Sequence, residues 1–185
     1  MPDQDWEFVE RLEISDHRIF RLMHDQYRLA PETTARDYVV LDVPDWVNVI
    51  AVTKDEHVVF VRQFRHGVRE VTLEIPGGMV DPGEQPGDAA MRELREECGY
   101  AGANALCLGW VHPNPAIQNN RCHTYLVRDA ELVGEQQPDP YERIEVVTRP
   151  MSDVPRLIAA GEISHTLVVT AFSQFGIAAK AEYNR

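Results

Sequence analysis

The feature that most constrains the fold is the stretch QPGDAAMRELREEC at residues 85–98, which predicts an amphipathic helix. Pro86 suits the first turn of a helix, and Gly99 suits its carboxyl-terminal cap. At 100° per residue, small and apolar side chains fall in one sector of this helix: Gly87, Ala90, Met91, Leu94 and Cys98. This apolar face needs a sheet to cover it, so the helix is expected to pack against one.

Three carboxylates, Glu93, Glu96 and Glu97, occupy a separate sector near the end of the same helix. Glu93 repels both others at a cost of roughly 0.2–0.5 kcal/mol per pair, and all three lie at the negative end of the helix dipole. An acidic run of this kind is typical of a solvated face. The flanking Arg92, which can reach Glu96, and Glu84, in the turn before the helix, favour a second interpretation. In that interpretation the oxygens hold Mg²⁺ or Mn²⁺ together with substrate phosphates.

The rest of the chain predicts short strands with a few helices. Strands at 17–29 and 36–43 are expected to form a small amino-terminal sheet, residues 46–66 a hairpin with the charged turn KDEH, and residues 71–76 a strand that Pro76 ends. Further strands are predicted at 106–112, 121–127 and 144–148, and helices near 154–160 and from a Ser164 cap to about residue 180. This irregular order indicates an α/β (α+β) fold with a mixed sheet flanked by helices.

Composition excludes several classes of function. With 30 acidic and 18 basic residues, the net charge of −12 opposes binding to nucleic acid. No apolar run approaches the roughly 20 residues that cross a bilayer, and MPDQDWEFVE does not read as a signal peptide, so a cytoplasmic protein is expected. Three cysteines without a CxxC spacing argue against a disulfide framework or a zinc knuckle, and all three are expected to be buried thiols.

One motif makes the metal interpretation specific. Gly78, Glu84 and the segment RELREECGY at residues 92–100 match the pattern GX5EX7REUXEEXGU, in which U is a bulky apolar residue. Tyr100 occupies the last U position. This pattern resembles the Nudix box. The resemblance implies the Nudix fold, an α/β/α sandwich around a mixed sheet. It also implies divalent-metal-dependent hydrolysis of a nucleoside diphosphate linked to another group.

The same resemblance implies roles for individual residues. Glu93 and Glu97 are the expected main metal ligands, Glu96 assists them, and the carbonyl of Gly77 completes the site. Arg92 is expected to orient these carboxylates at the catalytic centre, and Glu84 shares that orienting role. Mg²⁺ is the expected cofactor, with Mn²⁺ as the alternative.

Upstream of the box, VRQFRHGVREVTLEIPGG at residues 61–78 is similar to the corresponding segment of ADP-ribose pyrophosphatases and nucleoside diphosphate sugar hydrolases. Pro115, sixteen residues after Gly99, has a spacing associated with that subfamily, although a loop proline is an equally good interpretation. The expected reaction is hydrolysis of the pyrophosphate bond of ADP-ribose or a nucleotide sugar, giving a nucleoside monophosphate and a sugar phosphate. The alternatives are a Nudix hydrolase acting on coenzyme A or dinucleoside polyphosphates, a non-catalytic nucleotide sensor, and an isoprenoid diphosphate isomerase.

A general base outside the metal cluster is expected in the loop GEQQPDPYERIEVV at residues 134–147. Glu142 is the first choice for this base and Asp139 the second. Glu145 is also in this segment, but it is expected to alternate within the following strand and to face solvent or the site.

Substrate-binding residues are expected among arginines and aromatics. Arg65, in the segment QFR, resembles a residue that contacts the diphosphate, and Arg62 is the weaker candidate for that role. A surface salt bridge is the alternative for Arg65. Trp46 or Tyr27 would stack on the base, unless each is a core or interface aromatic.

Two segments are predicted to divide the chain. Residues 44–185 are expected to form the Nudix domain, whereas residues 1–43 have no place in the minimal Nudix fold. In similar enzymes such an extension builds a dimer and completes the partner's pocket. A homodimer binding a small nucleotide substrate, without nucleic acid or membrane partners, is therefore predicted.

Overall fold

The structure is a computed structural model that describes residues 5–137, 141 and 143–183, with side chains to residue 180. It contains strands β1 (Trp6–His17), β2 (Phe20–Leu29), β3 (Arg36–Asp42), β4 (Trp46–Ala51), β5 (His57–Arg65), β6 (Glu70–Glu74), β7 (Gly77–Met79), β8 (Tyr100–Ala101), β9 (Leu106–Val111), β10 (Cys122–Val127), β11 (Glu131–Leu132) and β12 (Ile144–Pro150). Its helices are α1 (Pro86–Cys98), α2 (Val154–Ala159) and α3 (Thr166–Tyr183). The chain divides into two compact units.

The first unit comprises the residues up to Pro44 together with His112–Arg121. Its three-stranded antiparallel sheet has the order β1-β2-β3. The sequence did not predict β1, because two register shifts interrupt the two-residue period on which strand recognition depends. The segment from His112 joins this unit through hydrogen bonds such as that from the Leu41 N–H to the Ile117 carbonyl, 2.7 Å.

The second unit, Asp45–Val111 with the residues from Cys122 onward, contains a four-stranded mixed sheet, a three-stranded antiparallel sheet and a two-stranded ladder. The four-stranded sheet has the order β7-β4-β10-β9, in which β4 and β10 are parallel. The three-stranded sheet has the order β12-β5-β6. Strands β8 and β11 form the ladder.

Alternation along β4 and β5 places helices on both faces of these sheets. Val49 and Val59 belong to the apolar cluster that includes Ala90 and Leu94 of α1. Their neighbours Ile50 and Phe60 belong to a second cluster, formed with α2 and α3. Both faces of the central strands are buried, as their continuous apolar runs require. The predicted α/β/α sandwich is therefore confirmed.

The predicted hairpin at residues 46–66 is wrong in its pairing. The turn forms, because the Thr53 N–H donates to the His57 carbonyl at 2.8 Å. Beyond it, only Val52 and Val58 are bridged, and β4 and β5 belong to different sheets. Both edges of β4 are taken by β7 and β10, and both edges of β5 by β6 and β12, so no edge remains for the local pairing.

Cysteine burial differs in one position from the expectation. Cys98 and Cys122 are buried, whereas Cys107, on the edge strand β9, is exposed. Burial raises the pKa of Cys122 to about 12 and also raises the pKa of Cys98. Both groups are therefore protonated thiols at neutral pH. None of the helices has the length and apolar character to cross a membrane over the described residues.

Candidate active site

Helix α1 presents the box carboxylates, and local chemistry fixes both of its ends. Gln85 is its extended N-cap and Pro86 its first residue, and the helix ends at Gly99, whose φ of 70° is left-handed. A Cβ at Gly99 would also lie 2.3 Å from the Gly134 carbonyl oxygen. Glycine is therefore required both by the backbone conformation and by the close approach of the following loop.

Arg92 is the hub of the cluster. Its Nε and Nη2 each donate to Glu84 at 2.9 Å, and Nη1 donates to Glu93 at 2.8 Å and to Glu96 at 3.1 Å. Nη2 also donates to the Met79 carbonyl at 3.0 Å, which ties α1 to β7. The contact of Arg92 with Glu96 is the one that the helical spacing predicts.

These contacts stabilise the charged forms of the cluster. The hydrogen bond to Glu84 raises the pKa of Arg92 against the opposing effect of burial, and the bond to Glu93 raises it further. The same hydrogen bond from Arg92 lowers the pKa of Glu84. One cation thus offsets part of the repulsion that the sequence builds into this helix end.

Two glycines let the carboxylates approach the backbone of β7. The Gly77 N–H donates to Glu97 Oε2 at 2.9 Å, and a Cβ at Gly77 would lie 2.2 Å from the Val47 carbonyl oxygen. A Cβ at Gly78 would lie 2.3 Å from Glu93 Oε1. Helix α1 and strand β7 can therefore approach this closely only because residues 77 and 78 have no side chains.

Glu97 differs from the expectation of a carboxylate on the polar side of the helix. Its exposure is 5%, whereas the Glu96 side chain is 44% exposed. The burial follows from the contact of Glu97 with β7, where the Gly77 amide offers a donor.

The donor set suits a hard divalent cation, because Glu93, Glu96, Glu97 and the adjacent glycine backbone offer oxygen atoms. Over the part of the chain that the structure describes, no three His, Cys, Asp or Glu side chains form a ready metal-binding group. Arg92 instead holds Glu93 and Glu96, while Gly77 holds Glu97. The structure thus brings the predicted ligands to one side of β7 without gathering them around one point.

Arg65 is held by a second buried carboxylate. Its Nε and Nη2 donate to the two oxygens of Glu74 at 2.8 and 2.7 Å, and the Thr72 hydroxyl donates to Glu74 Oε1 at 2.6 Å. Glu74 is only 3% exposed. The ion pair that the sequence offered as the alternative for Arg65 is therefore present, with a buried partner.

Arg62 lies on the face of β5 opposite to that of Arg65, and it donates to Glu145 at 3.1 Å. By strand alternation, Arg62 and Glu145 share the sheet face that packs on α2 and α3, whereas Val61 and Val146 face α1. A shallow cavity of about 380 Å³ lies beside the pair, lined by Arg62, Phe64, Val71, Arg143, Ile144 and Glu145.

Of the remaining predicted residues, the structure describes Trp46 and Tyr27. Trp46 begins β4, is partly buried and has Met79 and Cys122 as its strand partners. Tyr27 belongs to the amino-terminal unit, where it forms an edge contact with Tyr38 at 6.0 Å. The expected base Glu142 and its alternative Asp139 lie outside the described residues.

A family model of the NUDIX domain matches residues 44–167. The chain belongs to the Nudix family. This finding confirms the family that the motif at residues 78–100 predicts.

The chain is also similar to two named pyrophosphatases and to a solved structure. The chain is 36% identical over 146 residues to the ADP-sugar pyrophosphatase of Mus musculus, covering 74% of this chain and 67% of that protein. It is 28% identical over 134 residues to the ADP-ribose pyrophosphatase of Bacillus subtilis, covering 72% of each. A crystal structure of an ADP compounds hydrolase superposes with a TM-score of 0.83 at 20% identity, covering 97% of this chain and 96% of the other, which shows the shared fold.

Sequence reasoning missed three polar groups beside the Nudix residues: Thr72, Glu74 and Gln136. Glu74 stands between two apolar residues in LEI, and a carboxylate in that position is a sequence signal of a buried charge that needs a partner. Gln136 donates from its side chain to the Glu97 carbonyl and, at 3.4 Å, to the Ile144 carbonyl. Together the two contacts of Gln136 join the end of α1 to the start of β12, and no local pattern reveals a link between these distant elements.

Proposed function

We propose that the protein hydrolyses the pyrophosphate bond of ADP-ribose or a nucleoside diphosphate sugar. Water adds to one phosphorus, the bridging P–O bond breaks, and the products are a nucleoside monophosphate and a sugar phosphate. The observation that carries this proposal is the contact of the α1 carboxylates with the glycine backbone of β7. The printed names of the mouse and Bacillus subtilis relatives support an ADP-linked substrate.

The proposed metal site consists of Glu93 and Glu97, with Glu96 as an accessory ligand and the Gly77 carbonyl beside them. A divalent cation bound there supplies positive charge that offsets the charge of the diphosphate. Mg²⁺ is the proposed ion, and Mn²⁺ satisfies the same oxygen donors. Arg92 orients Glu93 and Glu96 through the bonds from Nη1, and Glu84 in turn fixes the opposite edge of the guanidinium.

The remaining steps fall to residues outside α1. Arg65 is proposed to bind the diphosphate, because a guanidinium forms charge-assisted bonds with phosphate oxygens. Arg62 is the weaker candidate for the same role. Trp46 is proposed to stack on the base. Glu142 is proposed to remove the proton from the attacking water. The pairing of Glu145 with Arg62, on the sheet face away from α1, favours Glu142 over Glu145.

Purified protein should be incubated with Mg²⁺ or Mn²⁺ and separately with ADP-ribose, GDP-mannose, UDP-glucose, coenzyme A and diadenosine polyphosphates, and the products separated by chromatography. Turnover of ADP-ribose or a nucleotide sugar supports the proposal. Turnover restricted to the last two substrates would assign the protein to another Nudix activity. Binding without turnover would identify a nucleotide sensor.

We also propose that the protein is a homodimer that uses the sheet β1-β2-β3. Aromatic and aliphatic side chains of this sheet are unusually exposed, including Phe8 at 53% and Ile14 at 50%. Exposed apolar patches of this kind mark association surfaces, and a second copy of the chain is the proposed partner. Sedimentation equilibrium should give a dimer mass for the wild type and a monomer mass for Phe8→Asp. A wild-type monomer at micromolar concentration would contradict this proposal.

A further inference from the structure

The β5–β6 hairpin places Arg65 and Glu74 far apart along the strands. In the observed register Arg65 is opposite Glu70, and Glu74 is opposite Val61. The pairing levels of Arg65 and Glu74 are thus four residues apart, roughly 14 Å at 3.4 Å per residue. Both side chains must therefore run toward each other along the sheet to form their two hydrogen bonds of 2.8 and 2.7 Å.

This arrangement holds an otherwise mobile side chain in one direction. An arginine near the end of a hairpin has many rotamers, and fixing it carries a large entropic cost. Glu74 directs the guanidinium away from the hairpin turn and along β6, toward the end at which Gly77 begins β7. The Arg65 side chain remains 44% exposed, so a solute can reach it.

Glu74 is itself held in place and ionised. Burial alone would raise its pKa, but the hydrogen bonds from Arg65 and Thr72 outweigh burial and lower it. A buried carboxylate needs such partners, because an unpaired charge in the interior is strongly unfavourable. The Thr72 hydroxyl, at 2.6 Å, fixes Oε1, and the planar fork of Arg65 then has a single matching orientation.

We propose that Glu74, held by Thr72, is a positioning residue that orients the Arg65 guanidinium toward the diphosphate of the substrate. The proposal rests on the diphosphate-binding role of Arg65 within the proposed function. Glu74 does not touch the substrate; it acts by keeping Arg65 pre-oriented, so that substrate binding does not have to order this side chain.

The test is a double-mutant cycle on the full chain with ADP-ribose and saturating Mg²⁺. Arg65→Ala and Glu74→Gln are each expected to raise KM about tenfold, a loss typical of one well-oriented charged contact. The double variant should have the KM of Arg65→Ala, because Glu74 has nothing to orient once the guanidinium is gone. Thr72→Val, which keeps the shape of the side chain, should raise KM in the same direction by a smaller factor.

Thermal denaturation separates positioning from a structural role. Asp25→Asn is the matched control, because Asp25 is also 3% exposed and accepts two hydrogen bonds from an arginine, Arg11, at 2.6 Å each. Both Asp25→Asn and Glu74→Gln are expected to lower Tm, but only Glu74→Gln should show coupling to Arg65→Ala in KM.

The possible failures are distinguishable. If Arg65→Ala leaves KM unchanged, the substrate role of Arg65 is wrong and the inference falls with it. If Arg65→Ala raises KM but Glu74→Gln and Thr72→Val do not, or if the effects of Arg65→Ala and Glu74→Gln are additive, Glu74 is only structural. A lower KM in Glu74→Gln would show that Glu74 competes with substrate for Arg65. Should Glu74→Gln fail to fold, Thr72→Val takes its place in the cycle, alone and combined with Arg65→Ala, and additive effects on KM would then contradict the positioning role.

Discussion

Replacing Glu97 by glutamine tests the proposed metal site with little change in shape. Glu97 is 5% exposed and accepts the Gly77 N–H at 2.9 Å, and the glutamine oxygen can accept the same bond. A hydrogen bond to a charged group contributes about 1 kcal/mol more than one to a neutral group. Removing the repulsion of Glu93 returns roughly 0.2–0.5 kcal/mol. A net loss below about 1 kcal/mol corresponds to a fall in Tm of only about 2–4 °C in a chain of this size.

The expected effect on activity is much larger. Loss of a group that merely supports a metal ligand typically costs 10–100-fold, so loss of a ligand charge should reduce kcat at least about 100-fold. This factor corresponds to about 2.7 kcal/mol of activation free energy, well above the expected loss of stability. A folded protein with little activity is therefore the predicted outcome.

Initial rates of AMP release from ADP-ribose at fixed Mg²⁺, together with a thermal melt and a calorimetric Mg²⁺ titration, measure the three quantities. Glu162→Gln is the control, because it removes an exposed carboxylate that pairs with Arg156 at the surface of α2. A wild-type rate and unchanged Mg²⁺ uptake in Glu97→Gln would refute the assignment of Glu97. A large fall in Tm would instead show that the loss of activity came from unfolding.

Gly78→Ala should fold but lose Mg²⁺ affinity in calorimetric titration, because the new Cβ meets only the flexible end of Glu93, at 2.3 Å, and displaces it. Gly77→Ala should instead lower Tm, by an amount matching roughly 1–3 kcal/mol of overpacking, because the Cβ would meet the Val47 carbonyl of the backbone at 2.2 Å; equal melting curves for the two variants would contradict this distinction. The pKa of Glu74 is lowered from its usual 4.5, so its ionisation stabilises the fold above that pH, and this contribution is lost as the pH falls through the lower folded-state value. The Tm difference between wild type and Glu74→Gln should therefore narrow with acidification below about pH 4.5, and a difference that widens in differential scanning calorimetry would be inconsistent with the lowered pKa.

The fold could be predicted where the pattern is local. Pro86, the apolar period and Gly99 define α1 from neighbouring residues alone, and the observed helix begins one residue after the predicted start. The sheet pairing could not be predicted in the same way. A charged turn between two apolar runs indicates a hairpin, yet β4 and β5 separate, because each pairs on both edges with strands distant in sequence.

In the candidate site, too, contacts between residues close in sequence could be predicted, whereas contacts that depend on strand register could not. The i,i+4 spacing of Arg92 and Glu96 predicts their contact within one helix. The sequence predicts only that Glu84 lies near the same carboxylates, and the structure pairs it with Arg92. The bond between Arg65 and Glu74 depends on the register of two strands and on burial, neither of which a single pattern specifies.

By itself, the sequence determined the family, the carboxylate helix and the alternation of buried residues, because these follow from spacings within a few turns or strands. Tertiary structure decided that Glu97 is buried against Gly77, that Glu74 holds Arg65, and that Arg62 faces away from α1. Such contacts depend on which backbone edges and interior positions remain available once distant segments have packed.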